Sequence, residues 1–380
     1  MINKLFQIFA LMKKNFVFKN LESNNLVIFD CINENYMKDL FDNTKYFSLS
    51  TRLDRIEKIY LNMDTLKFVV KNFFKRKLKI NYLISIINQI DPKMIITLID
   101  NSIEFSIISK HFKDKIPFYA IQGANRGDVK FMNEDEVKIF EFDTFFCFGN
   151  YEKKLYLKKN IKINKFIFSG PLRPSLALRH IKKEKIKLNE NKYDIFLPTE
   201  FSTGSPYNPH TNYSESCVRL ADYTVNVCKR NRLNLIFSAE AYSNSKTLKS
   251  EHQFYKKIID KYGVKLTPKT NKYSSYINVL QSNLIIGLNT TLLREAFYLN
   301  RKVLACNLTN HIHADFPIKS IASPDIKNFN DFEKQVLKLL DIKKETYFEI
   351  LKDDINNVVQ SDNDCYTIIN DEVRRITNTS

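Results

Sequence analysis

The residues best placed for chemistry lie where the apolar run Leu284-Ile285-Ile286 ends in the turn Gly287-Leu288-Asn289-Thr290-Thr291, with Glu295 about one helical turn further on. A strand–turn–helix junction of this kind aims backbone N–H groups and the positive end of a helix dipole beyond the sheet, and so favours an anion. Asn289, Thr290 and Thr291 are expected to hold phosphate, and Glu295 to accept hydrogen bonds from ribose hydroxyls. The same residues also read as a helix N-cap with an acidic first turn.

Three other segments follow apolar runs in the same way. After Met94–Leu98 come Asp100, Asn101 and Ser102. Asp100 would take the proton of an acceptor hydroxyl, provided burial raises its pKa, with Asn101 beside it on the substrate; the other reading makes one of the three an N-cap for a helix from Ile103. After Phe118–Ile121, the loop Gln122-Gly123-Ala124-Asn125-Arg126-Gly127 uses two of only seven glycines and offers a planar guanidinium fork, so Gln122, Asn125 and Arg126 are read as substrate contacts. After Asp194–Leu197, Thr199 opens a hydroxyl-rich loop through Ser202-Thr203-Gly204-Ser205 suited to phosphate oxygens, and Ser238 and Glu240 would flank a base. Lys269 and Arg294 are spare cations of the same region.

Other chemistries lack their residues. His311, His313 and Asp315 do not match a common zinc spacing, and no metal or cofactor is expected. No G-x-S-x-G elbow, P-loop or G-x-G-x-x-G occurs, which argues against hydrolase, NTPase and dinucleotide-dehydrogenase readings.

The elements that must position these residues follow from the pattern. Short apolar runs near Leu26–Phe29, Met94–Leu98, Phe118–Ile121, Thr144–Phe148, Lys165–Phe168, Asp194–Leu197, Leu233–Phe237, Leu284–Leu288 and Lys302–Ala305 read as strands. Helical periodicity falls between them at Asp64–Lys75, Tyr82–Ile90, Ile103–Phe112, Ser216–Arg230, Glu251–Tyr262, Ser274–Gln281 and Leu292–Leu299. This alternation predicts an α/β protein of two doubly wound, Rossmann-like units with largely parallel sheets. The expected division is a unit over 1–170, a Pro-punctuated and charged linker over 171–192, a second unit over 193–328, and C-terminal helices with a polar tail over 329–380 that pack back as a brace. Facing units would put the carboxyl ends of both sheets at one cleft.

A chain of 380 residues with 44% hydrophobic content suits two globular domains. Its formal charge of +17 fits anionic substrates or an anionic membrane surface. Nucleic acid is the weaker partner, since no zinc-finger spacing or RNA-recognition motif accompanies the charge. One basic cluster is Lys71-Asn72-Phe73-Phe74-Lys75-Arg76-Lys77. The six cysteines form no C-x-x-C pair and read as buried thiols of a reducing compartment, with no cleavable leader. Leu5–Met12 is far shorter than the ~20 residues of a transmembrane helix and reads as a buried first helix, with an interfacial helix as the alternative.

The order and spacing of Ile96–Ser102, Ile121–Arg126 and Leu284–Ala296 resemble the bacterial surface carbohydrate biosynthesis proteins, glycosyltransferases of the two-domain GT-B type, over about Asn81 to Leu308. The family's Asn-Gly before the Arg is replaced by Gln122-Gly123-Ala124-Asn125, and its Ser-Thr-Leu by Thr290-Thr291-Leu292. The resemblance implies an N-terminal acceptor domain, a C-terminal domain for the nucleotide-sugar donor, and transfer without an essential metal to a surface polysaccharide, glycolipid or lipid-linked acceptor. On it, Arg126 and Arg173 are assigned to anionic groups of donor or acceptor. The donor is expected to be a UDP-sugar or a CMP-linked acidic sugar. The alternatives are a CDP-alcohol-dependent phosphoalcohol transferase and a non-catalytic nucleotide- or carbohydrate-binding protein. The implied location is the cytoplasm, with peripheral contact to the anionic inner membrane surface left open.

Overall fold

A computed structural model describes residues 14–30, 34–42, 44–52, 55–126, 140–200, 212–309, 311–362 and 364–378. Leu5–Met12, Cys31, Gly127, the hydroxyl-rich loop after Glu200 and the side chain of His313 lie outside the described residues.

The first unit runs β1 (Asn15–Val17), β2 (Leu26–Phe29), α1 (Glu34–Leu40), β3 (Phe47–Leu49), β4 (Lys58–Tyr60), α2 (Met63–Lys71), α3 (Leu78–Ile90), β5 (Met94–Thr97), α4 (Ile103–His111), β6 (Phe118–Ile121), β7 (Glu141–Cys147), α5 (Asn150–Lys158) and β8 (Lys162–Phe168). Six of these strands form a parallel sheet in the order β3-β2-β5-β6-β7-β8, and β1 pairs separately with β4. The runs Leu26–Phe29 and Phe118–Ile121 are wholly buried, as strands covered on both faces must be. Alternation sends Val27, Phe29, Ile95 and Phe118 into a core under α3 and α4, and Leu26, Ile28, Met94 and Ile96 into the core shared with the rest of the molecule.

Helix α6 (Leu172–Lys183) connects the units. The second unit then runs β9 (Tyr193–Pro198), α7 (Tyr213–Asn231), β10 (Leu235–Tyr242), α8 (Lys246–Phe254), α9 (Lys256–Tyr262), β11 (Leu266–Lys269), α10 (Ser274–Leu280), β12 (Ser282–Gly287), α11 (Thr291–Tyr298) and β13 (Lys302–Ala305). Its five strands are all parallel in the order β11-β10-β9-β12-β13. The chain closes with α12 (Phe329–Asp341), α13 (Lys344–Ile350), α14 (Lys352–Val358) and α15 (Cys365–Thr377).

Helix α15 crosses back onto the first sheet. The Tyr119 hydroxyl donates to Glu372 at 3.1 Å, the Asn370 amide to the Leu40 carbonyl at 3.1 Å and the Asn25 amide to the Thr377 carbonyl at 3.2 Å. Cys365, Ile369 and Val373, one turn apart, are buried in the shared core. The C-terminal helices thus pack back, as expected, but the expected polar tail contains this fifteenth described helix.

Other departures have local causes. The expected linker over 171–192 is helix from Leu172 to Lys183, because Leu172, Leu176, Ala177 and Ile181 are buried on one side while Arg179, Lys182 and Lys183 face outward. The helix expected to reach Lys75 stops at Lys71, where the Asn72 side chain bonds back to the Phe68 carbonyl. The strand at Leu266–Lys269 is an edge strand with Pro268 inside it, which concealed it in the sequence. The five described cysteines are buried and unpaired.

Candidate functional site

The carboxyl ends of the two sheets face each other, and their loops touch directly. The Asn125 backbone N–H, after β6, donates to Thr291 Oγ1 at 3.0 Å, and the Asn125 amide donates to the Asn289 carbonyl at 3.2 Å. On the other flank, Lys272 bonds Asp39 at 2.6 Å and the Asn35 carbonyl at 2.8 Å, and Tyr36 donates to the Lys272 carbonyl at 3.1 Å. The expected cleft therefore has closed walls at two places.

Beneath Asn125 runs a polar network without solvent access. Gln122 donates to Glu152 at 2.9 Å and to the Ala124 carbonyl at 3.0 Å, and its own carbonyl accepts the Phe148 N–H at 2.8 Å. Glu152 in α5 meets Arg294 in α11 through both oxygens, at 2.5 and 2.9 Å, and neither side chain is exposed. Arg294 also donates to the Val358 carbonyl and lies against the Phe148 ring, 5.0 Å from its centre. Gln122, expected on substrate, and Arg294, expected as a spare cation, are instead interior struts between the units. Glu152 carried no sequence signal, since a lone Glu in Asn150–Lys158 reads as a solvated helix face.

Asp100 and Arg126 also find each other. Arg126 donates from Nε to Asp100 Oδ2 at 2.6 Å and from its terminal nitrogen to Oδ1, while the Tyr156 hydroxyl donates to Oδ2 at 3.3 Å. The Asp100 side chain has no exposure and that of Arg126 has 6%. Burial alone would lower the Arg126 pKa, but the Asp100 charge and bonds more than offset it and raise it. A carboxylate held by a guanidinium fork and a phenol is closed to an acceptor hydroxyl, and the fork is likewise spent. The expected base and the expected anion contact are thus corrected to a mutual ion pair. Ser102 is the N-cap of α4, accepting the Phe105 N–H at 3.2 Å, and Asn101 is exposed beside it.

The junction at 287–291 is occupied from within. Glu200, at the end of β9, accepts from the Leu288 N–H at 2.5 Å and the Asn289 N–H at 3.1 Å, and receives the Tyr213 hydroxyl at 2.6 Å. Gly287 permits this approach, since a Cβ there would lie 3.1 Å from Glu200 Oε1. The Thr290 hydroxyl caps α11 by accepting the Leu292 N–H at 3.3 Å, and Thr291 accepts from Asn125. The turn does favour an anion, and the anion it holds is a carboxylate of this chain. Burial pushes the Glu200 pKa up, against the pull of Tyr213 and the turn N–H groups. Asn289, Thr290 and Thr291 are therefore not open to phosphate in this arrangement.

Thr199 and Ser238 are interior as well. The Thr199 hydroxyl donates to Glu251 and accepts the Glu240 N–H at 3.0 Å, while Glu251, fully buried, accepts the N–H groups of Glu240 and Ala241 at 2.8 and 3.0 Å. Ser238 is 2% exposed. Of that group only Glu240 faces outward.

What remains unspent gathers around Glu295 and Arg173. Arg173, at the start of α6, lies against the Tyr36 ring, 5.3 Å from its centre, and its Nε is buried without a hydrogen-bond partner. Burial lowers its pKa, but Tyr276, Glu295 and Tyr36 raise it on balance. Glu295 receives the Tyr276 hydroxyl at 3.2 Å, and its pKa is raised by burial against the pull of Arg173, Tyr276, Lys269 and Arg294. Lys269, at the end of β11, has a pKa lowered first by burial, and Arg173 lowers it further. Among the described residues no carboxylate is bonded to Arg173 or Lys269. Two half-buried cations, a buried carboxyl and two phenols thus converge where α1, α6, β11, α10 and α11 meet.

Asp315 is bonded to Asn307 at 2.6 Å and Lys319 at 2.8 Å. Among the described residues no three His, Cys, Asp or Glu side chains are grouped as a metal would need.

A family model described as "putative O-antigen biosynthesis protein" matches residues 121–330. No curated protein matches the sequence. Among solved structures, the UDP-GlcNAc 2-epimerase of Neisseria meningitidis bound to UDP-GlcNAc is 14% identical, with a TM-score of 0.53, over 92% of this chain and 99% of its own. The UDP-GlcNAc 2-epimerase of Methanocaldococcus jannaschii is 11% identical, with a TM-score of 0.54, over 91% and 98%. The wall teichoic acid polymerase TagF is 12% identical, with a TM-score of 0.53, over 94% and 90%. The likeness is one of fold, the two-domain GT-B arrangement of Rossmann-like units, extending over nearly the whole chain.

Proposed function

On the premise that the chain belongs to the O-antigen biosynthesis family whose model covers more than half of it, we propose that it is a glycosyltransferase of surface glycan synthesis acting on a nucleotide-activated sugar. The observation that carries this is the pair Arg173 and Lys269, cations without a bonded carboxylate, beside Glu295 at the carboxyl ends of the strands. A half-buried guanidinium whose buried Nε has no partner is costly unless a ligand completes it. The donor's anionic groups, phosphate or the carboxylate of an acidic sugar, fit that need. Transfer requires the leaving nucleotide phosphate to be stabilised as the glycosidic bond breaks, and two preorganised cations in a low-dielectric site supply that stabilisation. Glu295 is assigned to the ribose and Glu240 to the base side. Phosphate binding thus moves from the turn at 288–291 to Arg173 and Lys269. The acceptor, a glycan or lipid-linked glycan, would enter from the first sheet, beside Asn101 and Asn125.

The neighbours of like fold include one solved with UDP-GlcNAc and one soaked with CDPG, so both nucleotide classes belong in the test. The experiment is calorimetric titration of CMP, CDP, UDP and CDP-glycerol into wild type, Arg173→Gln and Glu295→Gln. One nucleotide is expected to bind in the micromolar range and to weaken about tenfold or more in each variant. Absence of binding by all four would overturn the donor site. Tight binding of CDP-glycerol alone would move the reading to a phosphoalcohol transferase.

A further inference from the structure

Among the described residues, the first unit carries an apolar face that no packed element covers. In α2, Met63, Leu66 and Val70 recur at i, i+3 and i+7 and are 65%, 44% and 73% exposed. The turn beyond the helix continues the stripe with Phe73 and Phe74, the latter 98% exposed, and Leu78 opens α3 at 58%. Large apolar side chains at this exposure, contiguous along one helix and its turn, mark an interaction surface.

The charge around it is one-sided. Between 64 and 79 the chain has Lys67, Lys71, Lys75, Arg76, Lys77 and Lys79 against Asp64 alone. Lys79 is paired with Glu104 at 2.8 Å and Arg76 meets His111, but no described carboxylate pairs with Lys67, Lys71, Lys75 or Lys77. A protein partner of ordinary composition would not require four unpaired lysines around two protruding phenylalanines. An anionic bilayer does, because the apolar side chains enter the acyl boundary while ammonium groups remain among the phosphates. Phe16, Leu66 and Leu78 also line a cavity of about 1200 Å³, together with Arg52, Arg55, Lys58 and the carboxylates of Glu34 and Glu57, so the apolar character continues inward while the charge there is mixed.

We propose that this face, centred on Phe73 and Phe74, docks the protein on an anionic phospholipid surface. The proposal goes beyond the transferase reading and does not depend on it. The test is co-sedimentation of the full chain with vesicles of phosphatidylcholine alone and of equimolar phosphatidylcholine and phosphatidylglycerol, for wild type, Phe73→Ser/Phe74→Ser and Lys71→Ala. Wild type is expected to sediment with the anionic vesicles only. The double serine variant should lose partitioning about tenfold or more, and Lys71→Ala about fivefold. These side chains are exposed, so thermal unfolding and nucleotide binding should match wild type. Failure of wild type to sediment, equal binding to neutral vesicles, or undiminished binding by the serine variant would overturn the proposal. A concentration-dependent dimer abolished by the serine variant would instead assign the face to a second copy of the chain.

Discussion

Glu295 and Arg173 make opposite demands on the folded chain. The buried Glu295 carboxyl has a pKa raised above its ordinary 4.5, so between that value and the raised one the folded protein binds more protons than the unfolded chain. Stability from this group is therefore full below about 4.5 and falls as pH rises through the folded value. Glu295→Gln should unfold like wild type near pH 4.5 and be more stable than wild type at pH 8, as urea titrations at the two pH values would record. The Arg173 Nε has no hydrogen-bond partner among the described residues, so Arg173→Gln should cost thermal stability no more than its contact with the Tyr36 ring and its pull on Glu295 supply, while it removes nucleotide affinity. A fall in melting temperature as large as that of a core substitution would place Arg173 in the scaffold instead.

At the scale of elements, α5 and α11 are joined by the Glu152–Arg294 pair, and neither side chain is exposed to solvent. Removing one partner strands the other without water, so Glu152→Ala or Arg294→Ala should each cost about 3–5 kcal/mol in urea unfolding. A double Glu152→Leu/Arg294→Met variant should recover part of that loss, because two apolar side chains strand no charge; additive losses would refute the coupling. Close backbone approach governs the neighbouring loop. A Cβ on Gly123 would lie 2.7 Å from the Leu98 carbonyl oxygen, so Gly123→Ala should push the loops after β5 and β6 apart and lower stability by about 1–3 kcal/mol.

For the molecule as a whole, the two units share one core, and α15 is the part that returns to the first sheet. Its buried Cys365, Ile369 and Val373 and its bonds to Tyr119, Leu40 and Asn25 tie the last residues to the first strands. Ending the chain before Cys365 should therefore cost on the order of 5 kcal/mol. Differential scanning calorimetry should show one transition for wild type and two for the truncated chain, with the first unit melting earlier. A truncated chain with one unshifted transition would mean that α15 only decorates the surface. Among the described residues no helix is long and apolar enough to cross a membrane.

The sequence by itself marked nine of the thirteen described strands and the class of fold, though not the order of strands within the sheets. Runs such as Leu26–Phe29, Phe118–Ile121 and Lys302–Ala305 can be buried on both faces only in a parallel sheet, and the matching strands have those bounds. It also marked the turn at 287–291 as an anion seat, because a free helix N-terminus is a local property of the backbone. Which anion takes the seat was decided by tertiary structure: Glu200, 88 residues from Leu288, reaches it only when β9 and β12 pair. In the same way Asp100 and Arg126 each read as open functional groups, and only the meeting of the loops after β5 and β6 shows that they neutralise each other. Arg173 was legible as a cation but not as an unpartnered one, since the absence of a bonded carboxylate is a fact about every element packed around it.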